Sequence, residues 1–154
     1  RGFTMKFLTI TQRILNKIAA VERLAYNRKG WKITKFKDYL GEQGILARFL
    51  ESDDGEIMGY FVCEDTTDEI NILNLTCNPK FNQEEVFKKI LDHLRAKTVS
   101  LDNPRVLRMT VRDDRLSLQK FLHAYGMKGK LLRKFFANGQ DGVTFILKGG
   151  DEHA

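Results

Sequence analysis

Hydrophobic positions recur along the chain with two periods, and the switches between them mark its elements. MKFLTIT, residues 5–11, is a short β-branched apolar run that predicts an edge strand. Between Gln12 and Arg28 the spacing turns helical: Ile14, Ile18, Val21 and Ala25 share one stripe, widened by Leu15 and Ala19. Ile33, Phe36 and Leu40 predict a second, shorter helix closed by Gly41 or Gly44, with Trp31 packed between the two. The period then falls to two. ILARFLES, DDG and EIMGYFVCEDT read as strand, tight turn and strand, the turn carried by Asp54-Gly55. INILNLTCNP adds a third strand, and Pro79 closes it because proline donates nothing to a ladder.

The second half alternates element types. Asn82–Lys97 is the clearest helix, with Val86, Ile90, Leu91 and Leu94 inward and Glu84, Lys88, Lys89 and Arg95 outward. RVLRMTVRD predicts a strand, Asp114–Tyr125 a helix stopped by Gly126, and KLLRKFFA with GVTFILKG a closing hairpin over NGQDG. The order β-αα-βββ-α-β-α-ββ predicts a mixed α/β fold of the α+β type, a mostly antiparallel sheet flanked by helices. A helix between the strands at 70–78 and 105–112 is the crossover a parallel pair requires, so those two strands are expected side by side. No repeat or linker interrupts the pattern, which places one domain over residues 5–149, a leftover sequence at 1–4 ahead of Met5, and a tail at 150–154.

Composition changes this picture little. Hydrophobic residues make up 42% and charged residues 30% of 154, as in a water-soluble globular protein, and no apolar run is long enough to span a bilayer. The cytoplasm is the expected compartment. Cys63 and Cys77 each sit in an apolar strand pattern and read as small core residues, not as a disulfide or a metal site. A net charge of +6 favours an anionic partner. Its basic residues cluster late, at Arg105, Arg108, Arg112, Arg115, Lys128, Lys130, Arg133 and Lys134, where interleaved Phe135 and Phe136 suit either nucleic acid or the core. The expected oligomeric state is a monomer or dimer.

Candidate chemistry gathers at one junction. LTCNPKFNQEEVFKKILDHL, from Leu75 to Leu94, is a strand end, a turn and a helix start. Such a turn suits an anion through its free amides and the positive helix end. Here it carries Asn82, Gln83, Glu84 and Glu85 and no glycine. Acidic residues there stabilise the helix by about 0.3–1 kcal/mol each and repel a phosphate equally well. No Ser/His/Asp set, metal-ligand cluster or nucleotide-binding glycine motif is present.

Several phrases, in their order and spacing, resemble the GNAT acetyltransferases, and among them the ribosomal-protein-alanine type. AAVERLAYNRKGWKITKFKDYL resembles the first two helices of that family, DDGEIMGYFV its hairpin, INILNLTCNPKF its strand and proline before the cofactor turn, and LRMTVRDDR with FLHAYGM the strand and helix after it. The resemblance implies acetyl-CoA as cofactor and an amine as acceptor: a protein N-terminus, a lysine or a small molecule. It implies that the backbone of Leu75, Thr76 and Cys77 pairs with the pantetheine arm and that Asn82, Gln83, Glu84, Glu85, Val86 and Phe87 form the turn around the diphosphate. The family pattern Q/R-x-x-G-x-G/A falls on Asn82, Glu85 and Phe87; its general-base glutamate falls on Thr110, its asparagine on Arg115 and its proton-donating tyrosine on Leu122. Tyr125, nearly one turn beyond Leu122, and Glu69, at the entrance to the third meander strand, are the remaining candidates for proton transfer. The alternative is a catalytically inactive GNAT-like binding module for protein or nucleic acid.

Overall fold

The computed structural model describes residues 6–99 and 102–149; the expected leftover at 1–4, Met5 and the expected tail at 150–154 lie outside the described residues. Seven strands, β1 (Lys6–Thr9), β2 (Ile45–Glu51), β3 (Ile57–Asp65), β4 (Glu69–Cys77), β5 (Val106–Arg112), β6 (Lys128–Leu132) and β7 (Gly142–Lys148), form one sheet in the order β1-β2-β3-β4-β5-β7-β6. Four helices accompany them: α1 (Leu15–Tyr26), α2 (Ile33–Leu40), α3 (Gln83–Thr98) and α4 (Leu116–Tyr125). The mixed α/β fold and its element order are those the hydrophobic pattern predicts. Contacts along the chain divide it into two compact units, one running to Glu64 and including Asn74–Leu91, the other holding Asp65–Leu73 and the chain from Asp92.

In the first unit, β1 pairs antiparallel with β2 and β2 with β3. The Asp54-Gly55 turn forms as predicted: Gly55 takes a φ of 83°, a region glycine enters without a Cβ clash, and its amide donates to Ser52 O at 3.0 Å. Leu15, Ile18, Phe36, Leu50, Phe61, Leu75, Val86 and Phe87 are fully buried there and make its core. Short 3₁₀ turns at Gln12–Ile14 and Asn27–Lys29 bracket α1, which is why the helical period extends past the α-helix itself.

In the second unit, β4 and β5 run parallel, registered from Glu69 opposite Val106 to Ile72 opposite Met109, as the crossover through α3 demands. β5 pairs antiparallel with β7, and β7 with β6. Ile70, Ile72, Leu94, Leu107, Leu122 and Met127 fill its core.

The final hairpin departs from expectation. β6 covers Lys128–Leu132 instead of residues 130–137, because Lys134 adopts a positive φ of 50° and ends the extended run. The loop closes on itself instead: the Lys134 amide donates to Asp141 Oδ1 at 2.8 Å and the Phe136 amide to Gln140 O at 3.1 Å. Phe135 is therefore 53% exposed, not core, and stands edge-on to the half-buried Phe136 with centroids 5.1 Å apart.

Candidate functional site

The C-terminal half of β4 carries alternation into chemistry. Ile70 and Ile72 share a face with Asn74 and Thr76, so two polar side chains continue a buried apolar row. They meet Glu22, which lies four residues after Ile18 on the inward stripe of α1 and is only 2% exposed. A carboxylate so placed demands donors. It receives the Trp31 amide at 2.8 Å, the Tyr60 hydroxyl, and Asn74 Nδ2 at 3.1 Å. The Thr76 hydroxyl, with one proton to give, lies 3.0 Å from Glu22 Oε1 and 2.6 Å from Asn74 Oδ1. Gly30 makes the Trp31 contact possible, since a Cβ there would stand 2.8 Å from Glu22 Cγ.

Burial, and then the Glu22 carboxylate, push the Tyr60 hydroxyl well above its ordinary pKa, so it stays a neutral donor. Tyr26, at the end of α1, donates its hydroxyl to Leu75 O on the neighbouring strand position. Glu22 and Tyr26 therefore fix the same strand segment that the sequence reading assigns to a cofactor. Both stand in AAVERLAYNRKGW, a phrase of the resemblance, but the sequence names no partner for either. A charged residue on a helix's apolar stripe, and polar residues at 74 and 76 in phase with Ile70 and Ile72, were the available signals.

The other predicted residues fall as follows. Cys77 is buried, its thiol pushed up to about 11 by burial, and Sγ donates to Asn78 O at 3.3 Å. Cys63 is likewise buried, and neither cysteine forms a disulfide. Asn82, Gln83, Glu84 and Glu85 are exposed at the start of α3, while Val86 and Phe87 are buried. Asn82 caps the helix: its Oδ1 accepts the Glu85 amide at 2.9 Å.

The residues fit the two ends of an acyl-CoA unequally. β4 runs on to Cys77 past the last pair it registers with β5, at Ile72, so its end is extended backbone of the kind that pairs with a ligand arm. The turn does not fit a diphosphate as a glycine loop does. One of its amides is already taken by Asn82, two carboxylates face outward from the first helical turn, and Phe87, 1% exposed, fills its position as core.

Glu69 and Tyr125 each have a partner within the second unit. Glu69 opens β4, at the far end of the strand from Leu75, and accepts Arg108 Nε at 2.9 Å. Tyr125 donates to Asp92 on α3 at 2.6 Å, and burial followed by Asp92 raises its pKa. Leu122, where the resemblance places a tyrosine, is fully buried. Among the described residues no group of His, Cys, Asp or Glu is placed to hold a metal ion, and no helix is long and apolar enough to cross a membrane.

No protein-family model matches the sequence, and no curated protein does. Solved structures do. The ribosomal-protein-S18-alanine N-acetyltransferase of Escherichia coli is 15% identical with a TM-score of 0.74, over 98% of this chain and 99% of that one. Arabidopsis thaliana NAA60, in complex with acetyl-CoA, is 11% identical with a TM-score of 0.75, over 94% of this chain and 98% of that one. Ard1 from Thermoplasma volcanium is 13% identical with a TM-score of 0.76, over 96% of this chain and 99% of that one. The fold of this chain is that of the GNAT acetyltransferases.

Proposed function

We propose that the protein is an N-acyltransferase that moves an acetyl group from acetyl-CoA to an amine. The observation that carries this reading is the likeness of the whole chain to acetyltransferases, with nearly full coverage on both sides. In this reading the backbone of Leu75, Thr76 and Cys77 receives the pantetheine arm, held in place by Tyr26 and the Glu22 cluster. Asn82, Gln83, Glu84, Glu85, Val86 and Phe87 then flank the diphosphate without cradling it. Amide formation from a thioester depends chiefly on bringing a deprotonated amine to the carbonyl, so the reading assigns no side chain as base. The acceptor is a protein N-terminus, a lysine or a small-molecule amine.

A second reading, an inactive module with the same fold, is favoured by one observation: the self-capped, acidic start of α3. Calorimetry with acetyl-CoA and with CoA at low salt separates the two. Saturable micromolar binding, followed by release of free CoA thiol in the presence of amines, is the expected result. Absence of heat with either ligand overturns the acyltransferase reading in favour of the second.

A further inference from the structure

The surplus positive charge of this protein sits in two stretches. Residues 12–40 hold eight basic side chains and two acidic ones, while the rest of the chain holds eighteen of each. Residues 105–134 are the other basic stretch, with nine basic side chains and two acidic ones. Of the two acids in residues 12–40, Glu22 is buried and occupied by the Trp31, Tyr60 and Asn74 donors, which leaves Asp38 as the exposed one.

Residues 12–40 also line a half-open cavity of about 810 Å³. Arg23, Arg28 and Lys32 line it together with Asn16, Asn27 and Trp31, and its lining includes no carboxylate. All three cations are exposed, and none forms an ion pair among the described residues. Asn27 holds a φ of 55°, which asparagine tolerates better than most residues, and so turns the chain around the cavity wall. Like charges converging on a concave surface repel one another and focus the field on an incoming anion.

The lining narrows the kind of anion. Trp31 is no free platform for a nucleobase: its ring stacks on Tyr39 with centroids 5.2 Å apart, and the Lys35 ammonium lies 4.8 Å from its centre. Three cations on separate stems around so large a space suit dispersed carboxylates better than one compact phosphate. The Asn16 and Asn27 amides offer donors and acceptors matched to peptide groups. We propose that the α1–α2 cavity binds an acidic polypeptide segment, its carboxylates taken by Arg23, Arg28 and Lys32. The site does not depend on acyl transfer and is testable without any cofactor.

Trp31 is the sole tryptophan, so its fluorescence reports on this cavity alone. The full chain is titrated at low salt with an Asp/Glu-rich octapeptide and with its Asn/Gln counterpart. The expected result is a saturable change with the acidic peptide only, weakening as salt rises. The R28E/K32E pair weakens binding about tenfold or more. K120E/K128E, an equal change of charge elsewhere, leaves it within about twofold. If R28E/K32E lowers the melting temperature, R28Q/K32Q carries the same comparison. Equal weakening by both pairs, or equal binding of the amide peptide, overturns the proposal as diffuse attraction. Inorganic phosphate reproducing the signal and blocking the peptide, or an oligothymidylate binding more tightly than the peptide, overturns it in favour of a small-anion or nucleic-acid site.

Discussion

Residues 12–40 and 105–134 are the two conspicuously basic stretches of the chain, and they differ in what their charges touch. In the later stretch Arg105 meets Asp65 as well as Thr66 O and Lys97 O, Arg108 meets Glu69, and Arg112 lies 3.6 Å from Asp114. These arginines are spent on turns and strand ends. In the earlier stretch Arg23, Arg28 and Lys32 face a cavity with no such partner, and Glu22 is held by uncharged donors. Counting charges points to the later stretch as the contact surface. Asking which charges are already neutralised points to the earlier one.

The comparison sharpens most at Glu22. Glu22→Ala leaves the Trp31 amide, the Tyr60 hydroxyl and Asn74 Nδ2 buried without their acceptor, a loss of about 3–5 kcal/mol by urea denaturation. Glu22→Gln, which keeps one acceptor oxygen, loses less. The pH dependence has a definite sign. The Tyr60 hydroxyl has a folded pKa above its ordinary 10.0, so its contribution is complete below pH 10 and is lost as pH rises beyond it. A Tyr60→Phe variant lacks that alkaline loss; if it shows the same loss as the parent, the assignment to Tyr60 fails.

Next in size comes Arg105, whose side chain is 19% exposed and bonds two backbone carbonyls besides Asp65. Arg105→Ala is expected to cost about 1–3 kcal/mol. Arg108→Ala breaks a single pair whose partners are each about a third exposed, and screening leaves it about 0.2–1 kcal/mol, shrinking further in salt. Equal losses at 105 and 108 would show that backbone bonding is not what separates them.

Much of this was legible in the sequence. Periods of 3.6 and 2, an Asp-Gly turn and a crossover helix were enough to order the elements and to require the β4–β5 parallel pair. What stayed hidden depends on tertiary partners. A glutamate on an apolar stripe reads as an exception until Tyr60 and Asn74, 38 and 52 residues away, arrive to bond it. The end of β6 stays hidden too, because a positive φ at a lysine leaves no signature in hydropathy. Phe87 shows the reverse: a residue that the resemblance places in a cofactor turn is first of all core, so removing it tests packing and not binding.

The smallest expected effect is at the start of α3, where the imbalance of α1 and α2 is inverted: Glu84 and Glu85 are exposed acids with no ion pair among the described residues. If acetyl-CoA binds as proposed, its diphosphate approaches these carboxylates. Two unit charges roughly 6 Å apart interact by about 1 kcal/mol at an effective dielectric of about 40–60, and salt reduces that further. The Glu84→Gln/Glu85→Gln pair leaves Phe87 and the Asn82 cap in place, at a cost to the helix of about 0.3–1 kcal/mol per charge. Calorimetry is expected to show acetyl-CoA binding about twofold to fivefold tighter at low salt, with the gain fading at about 0.5 M salt. An unchanged dissociation constant in the folded variant would mean that the diphosphate never meets this turn, leaving β4 as the only part of the proposed cofactor site still standing.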